Sequence, residues 1–307
     1  MVKKNVLIIG KGSIGKRHSK LFMKIGCKVF FYRSDDKNIF LKKKYDLICI
    51  CNPSALHFKT FKKFKDFSKN FFFEKPAACK EKDINNIKKI AKNENIQIFS
   101  GYMLRHDPKI ILIKKKLKKL KLRYSNFVWQ SYLPDWHPWE DYRNSYASQK
   151  KLGGGVLFTC SHEIDLANFL FGKVKKVFCT ETLSNISTNV ENSVLIILEH
   201  QSGVKSNLVI DFSSTQKQRF FEIYSDEKSM RWDFVNDKIK IKEKDKIKYL
   251  RPSKNSNISK IYYYQDKYIF ESLSKKKTQN FKNFFHTEEI IFSAFKSLKS
   301  KRFELVK

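Results

Sequence analysis

The chain has 307 residues, 41% of them hydrophobic, and carries 63 Lys+Arg against 30 Asp+Glu for a net charge of +33. That length suffices for two ordinary domains with their own cores, and no apolar run approaches the roughly 20 residues of a transmembrane helix. The basic excess is lysine spread through almost every segment, with only nine arginines. Readers of base edges rely instead on clustered Arg forks, so salt-labile association with polyanions is expected and a specific nucleic-acid function is not.

Residues 6–9 form the first apolar run. It is shorter than the roughly 7–15 residues of a signal-peptide core and leads directly into a glycine, so it reads as a strand and the chain as cytoplasmic. Runs 29–32, 47–51, 71–73 and 96–99 repeat this β-prone composition, while 13–25, 35–44, 55–68 and 81–93 carry helical spacing. Continuous apolar strands separated by helices imply a doubly wound parallel sheet covered on both faces. Residues 109–123 put Ile110, Ile113, Leu117 and Leu120 on one face and lysines on the others, the pattern of a packed surface helix. Beyond it strands dominate, at 127–132, 174–182, 193–199, 205–212, 220–224, 229–234 and 238–242, with helices at 156–171 and 282–298. "IKIKEKDKIK" alternates like an exposed edge strand protected by lysine. The expected architecture is an α/β Rossmann domain over 1–118 and an α+β domain with a mostly antiparallel open sheet over 119–307.

"LIIGKGSIGKRH" holds G-x-G-x-x-G between a strand and a helix, the context that gives this motif meaning. Gly10 permits the turn, Gly12 lets the backbone approach a diphosphate and Gly15 allows close helix packing, while the Ser13 and Ile14 amides meet the negative charge. The second strand ends in "FFYRSDDK". Arg33 and Ser34 favour the 2′-phosphate of NADP, whereas Asp35 or Asp36 would suit the ribose of NAD, so NADP is slightly favoured and NAD stays open. "CICNPSALH" brings Asn52, Pro53 and His57 to the carboxyl edge of the sheet, "FFFEKPAAC" brings Glu74 and Lys75, and "GYMLRHDP" brings Arg105. "GGGVLFTCSHEIDLANFLFG" sets a glycine run before a helix with His162 and Asp165 on one face. Six cysteines without a C-x-x-C pair read as reduced, buried thiols, and no metal site is expected.

In this order and spacing the motifs resemble the glucose–fructose oxidoreductase and inositol dehydrogenase (Gfo/Idh/MocA) family along essentially the whole chain. The resemblance implies hydride transfer between NAD(P) and a hydroxyl or keto carbon of a sugar, with Lys75 matching the catalytic lysine and His162 the acid/base histidine. An ammonium can stabilise charge on the reacting oxygen, and an imidazole can exchange its proton near neutral pH. Asp165 either orients His162 or binds a substrate hydroxyl. Many relatives carry an acid where this chain has Phe158 or Thr159. The alternative is therefore a cofactor-binding regulatory or interaction protein with a degenerate site. Residues 130–155 are dense in aromatic and charged side chains, and Trp136, His137, Trp139, Asp141, Tyr142 and Arg143 are expected to contact a sugar or sugar nucleotide. The wording of that stretch is similar to a bacterial subgroup linked to surface-polysaccharide synthesis. Relatives often pair through their open sheets, so a homo-oligomer is expected.

Overall fold

The computed structural model describes residues 3–32, 44–250, 257–273 and 285–306. Two compact units emerge, Met1–Asp107 with Ser256–Phe285, and Pro108–Asn255 with His286–Lys307.

In the first unit, β1 (Asn5–Ile9), α1 (Ser13–Ile25), β2 (Lys28–Tyr32), β3 (Leu47–Ile50), α2 (His57–Phe64), β4 (Asn70–Phe73), α3 (Glu81–Asn93) and β5 (Gln97–Ser100) build a parallel sheet in the order β2-β1-β3-β4-β5. Val6, Leu7, Ile8, Leu47, Ile48, Cys49, Ile50 and Phe71, Phe72 and Phe73 are buried throughout, because helices cover both faces. The strand order reverses between β1 and β3, and at such a switch point the crevice beyond the carboxyl ends receives ligands. The expected helix at 35–44 and the Arg33–Ser34 pair lie outside the described residues.

The second unit contains α4 (Pro108–Leu117), β6 (Leu122–Tyr132), α5 (Val156–Thr159), α6 (Ser161–Phe171), β7 (Val174–Glu181), β8 (Ser193–His200), β9 (Lys205–Asp211), β10 (Ser213–Ser225), β11 (Lys228–Asp233), β12 (Lys238–Glu243) and β13 (Lys246–Leu250). After α7 (Ile258–Ser272), which belongs to the first unit, α8 (His286–Ser300) and β14 (Glu304–Leu305) complete it. Its nine strands run β13-β12-β11-β10-β6-β9-β8-β7-β14, antiparallel except for β6 beside β9.

Several expectations are corrected. The units divide at Asp107–Pro108, not at 118/119, because α4 buries Ile110, Ile113 and Leu117 and its Lys109 ion-pairs with Asp237 in the turn before β12. The helix expected over 109–123 ends at Leu117, and Leu122 already belongs to β6. The helix at 156–171 breaks at Cys160, whose φ of −100° and ψ of 25° separate α5 from α6. "IKIKEKDKIK" is a hairpin, with β13 as the edge. The α7 segment, placed with the second domain by sequence, falls in the first unit, where it packs on α1.

Candidate active site

The glycine turn has the shape its spacing requires. Gly10 has a φ of 111°, and a Cβ there would stand 2.7 Å from the Cys51 carbonyl carbon. A Cβ on Gly15 would lie 2.0 Å from the Gly10 oxygen, so α1 can approach the turn only without a side chain. Gly12 differs, since no atom of the described residues lies within 4 Å of a Cβ built on it. It is the N-cap of α1, without a side-chain cap or an acidic residue in the first turn, so the Ser13 and Ile14 amides face an open anion seat.

Beside this turn the Asn52 Nδ2 donates to Thr60 Oγ1 at 2.8 Å, while its Oδ1 is buried without a hydrogen-bond partner among the described residues. Pro53 is exposed at the same loop. An open glycine turn flanked by an unsatisfied amide oxygen fits a dinucleotide that can donate to it. His57, expected at the cofactor, is fully buried with Nε2 2.8 Å from the Asn52 carbonyl and Nδ1 3.2 Å from the Ala77 carbonyl. Burial lowers its pKa. It braces the Asn52 loop against the segment after Lys75.

Glu74 is likewise an internal brace. Its Oε2 accepts the Lys75 amide at 3.0 Å, and its Oε1 lies 2.8 Å from His18 Nε2. His18 is fully buried, and its Nδ1 reaches Asp266 of α7 at 2.9 Å. Burial opposes the imidazolium, but Asp266 and Glu74 outweigh it and raise the His18 pKa to about 10. Neither His18 nor Asp266 was expected in a site. His18 was visible as the histidine of "GKGSIGKRH", whereas nothing in the sequence marks Asp266. Lys75 follows on, half-buried. Arg105 lies after β5 with its guanidinium 5.4 Å from the Tyr102 ring centre.

In the second unit His162 is half-buried on α6, whose neighbouring residues anchor the helix. Glu163 accepts Arg219 of β10 at 2.7 and 2.8 Å. Asp165 is fully buried and accepts the Thr287 hydroxyl of α8 at 2.8 Å, which engages one of its oxygens. Phe158 packs on Phe295 with ring centres 5.1 Å apart, so that position is a core contact. Before α5, Gly155 has a φ of 97°, and a Cβ there would strike the Glu191 carboxyl at 2.2 Å. Glu191 also accepts the Leu157 amide at 3.1 Å, a brace that sequence reasoning missed.

The aromatic loop divides. Trp136 donates from Nε1 to Ser131 Oγ at 2.8 Å and sets its ring edge-on to Trp129 and Phe212, so it is packing. Arg143 pairs with Asp141 at 2.7 Å, which offsets its charge locally, and the Tyr142 hydroxyl accepts the Ser187 amide at 3.3 Å. His137 and Trp139 remain exposed with rings 5.1 Å apart.

Among the described residues no group of three or more His, Cys, Asp and Glu side chains could hold a metal, and no helix is long and apolar enough to cross a membrane.

Two family models match the chain. The oxidoreductase family, NAD-binding Rossmann fold, matches residues 24–102, and the GFO/IDH/MocA C-terminal domain matches residues 123–231. No curated protein matches the sequence. Among solved structures, an NAD binding oxidoreductase from Klebsiella pneumoniae superposes with a TM-score of 0.82 at 13% identity over 100% of both chains. Levoglucosan dehydrogenase in complex with NADH and levoglucosan gives 0.84 at 15% over 100% of both. An oxidoreductase from Agrobacterium radiobacter in complex with NAD+, L-tartaric acid and magnesium gives 0.79 at 15% over 99% of both. At these identities the likeness is one of fold. With both domain models matched in order, the chain belongs to the Gfo/Idh/MocA family of NAD-binding oxidoreductases.

Proposed function

We propose that the protein transfers a hydride between NAD(P) and a hydroxyl- or keto-bearing carbon of a sugar or sugar derivative, of the kind used in surface-carbohydrate synthesis. The observation that carries this reading is the carboxyl edge of the first sheet. There the open Gly12 turn, the unsatisfied Asn52 Oδ1 and the Glu74–Lys75 turn come together. A bound nicotinamide supplies the hydride acceptor or donor. The Ser13 and Ile14 amides would hold the diphosphate of the dinucleotide, and the residue types of Arg33 and Ser34 would favour a 2′-phosphate over a bare ribose.

In the oxidising direction the His162 imidazole would take the hydroxyl proton, the bound nicotinamide being the hydride acceptor. The Lys75 ammonium hydrogen-bonds the oxygen as it becomes a carbonyl. Asp165 fixes the pitch of α6 through Thr287, acting as a positioning residue for His162. The exposed His137–Trp139 pair offers a stacking surface for an apolar sugar face. A fold neighbour, levoglucosan dehydrogenase, was solved in complex with NADH and levoglucosan, which supports that substrate class.

The test is a panel of sugars and sugar nucleotides with NAD and NADP, following absorbance of the reduced cofactor. One member is expected to be turned over, with Lys75→Ala and His162→Ala each losing at least about 100-fold in kcat. Full turnover in both variants would contradict the assignment.

A further inference from the structure

Lys75 sits at the end of a buried polar chain that begins far away in sequence. Asp266 on α7 faces His18 Nδ1 with both carboxylate oxygens at 2.9 Å, and His18 Nε2 faces Glu74 Oε1 at 2.8 Å. The second Glu74 oxygen accepts the Lys75 backbone N–H at 3.0 Å. His18 and Asp266 are both 0% exposed. Carboxylates only accept, so both imidazole nitrogens donate and the ring is an imidazolium. Its faces and edges are held by Phe72, 5.0 Å away in β4, and Tyr262, 5.6 Å away in α7, over which the Arg17 guanidinium stacks at 4.6 Å. The ring is therefore fixed in position as well as in charge.

This arrangement does more than fasten α7 to α1. A carboxylate beside a peptide N–H can rotate unless its other oxygen is restrained, and here the restraint is His18, itself oriented by Asp266. We propose that His18 and Asp266 are positioning residues for Lys75, clamping the Glu74 carboxylate so that it fixes the Lys75 peptide, with α7 completing the lysine turn of the first unit. The proposal rests on the reading of Lys75 as the group that contacts the reacting oxygen.

The test uses the full chain with Asp266→Asn and His18→Gln. Asp266→Asn keeps the shape and retains a hydrogen-bond partner for His18, so it remains informative where His18→Gln fails to fold. Two readouts are taken. The first is hydrogen exchange at the Lys75 amide, measured on a peptide covering residues 73–78. The second is kcat, KM and cofactor Kd with the sugar found above. Exchange at Lys75 is expected to accelerate at least about 10-fold beyond any change in the central strands. With it kcat falls about 10–100-fold while cofactor Kd stays within about 3-fold. Glu74→Gln is expected to give the same loss, and combining it with His18→Gln to add little. Unchanged Lys75 exchange in both variants overturns the proposal. So does accelerated exchange with wild-type kcat. If the wild-type protein turns over no sugar, the functional reading fails, while the exchange measurement still decides whether the clamp holds the lysine turn.

Discussion

Gly101, the residue after β5, lies directly against Glu74: a Cβ added to it would stand 2.9 Å from Glu74 Oε2 and 2.9 Å from the Lys75 amide nitrogen. The obstruction is largely backbone, so relief requires the lysine turn to move. Gly101→Ala is expected to destabilise the fold by about 1–3 kcal/mol, the usual cost of overpacking, and to loosen the Lys75 turn. Urea unfolding measures the first effect, and unchanged stability would mean that the turn moves freely.

The buried imidazolium makes stability depend on pH. Its folded pKa, about 10, lies above the ordinary value of 6.5, so its contribution is fully present below pH 6.5 and is lost as pH rises towards 10. The groups facing it are Asp266 and Tyr262 from α7, Glu74 after β4 and Arg17 from α1. Burial raises Asp266, while His18 holds it down. Thermal melts between pH 7 and pH 10 are expected to show a falling Tm, and His18→Gln to flatten that slope. An equal slope in the variant would contradict the assignment.

Glu191 works in the opposite sense to most carboxylates. Burial pushes its pKa to about 7 from 4.5, although its own amide and that of Leu157 favour the charged form. The folded state therefore holds the proton between pH 4.5 and 7, and stability is lost as pH rises through that window. Glu191→Gln is expected to gain about 1 kcal/mol at pH 8, given partial contact with water, and to gain little at pH 4.5. Denaturant midpoints at the two pH values decide it.

Much of the first unit was legible because its signals are local. The apolar runs at β1, β3 and β4 are short and bounded by polar turns, and the glycines of the turn each have a steric reason that their spacing announces. The helices α1 and α3 have the bounds their periodicity gives. What was hidden is non-local or lacks turn chemistry. The β12–β13 hairpin turns through Lys244 at a φ of 50°, where no Gly or Asn advertises the reversal. Asp266 meets His18 across 248 residues, which no spacing rule can reveal. Trp136 and His57 look like ligand contacts by type, yet the first packs on Trp129 and the second is buried with its ring nitrogens against the Asn52 and Ala77 carbonyl oxygens. Residue type marks a capacity, while burial and partners determine its use.

Arg219 secures α6 through Glu163, a carboxylate only 3% exposed. Arg219→Met removes both prongs of that bond and is expected to cost about 2–4 kcal/mol. A midpoint within experimental error of wild type would show that α6 is held by packing alone.

Gly12 gives the sharpest test of whether the first unit binds a dinucleotide. Its φ of −68° suits any residue, and no atom of the described residues lies within 4 Å of its Cβ position, so Gly12→Val is expected to leave the empty fold intact while filling the diphosphate seat. Titration of NADH and NADPH into wild type and Gly12→Val, alongside their Tm values, separates folding from binding. The account predicts an unchanged Tm and affinity weakened at least about 100-fold for whichever cofactor binds, roughly 3 kcal/mol. Wild-type affinity in Gly12→Val would contradict it.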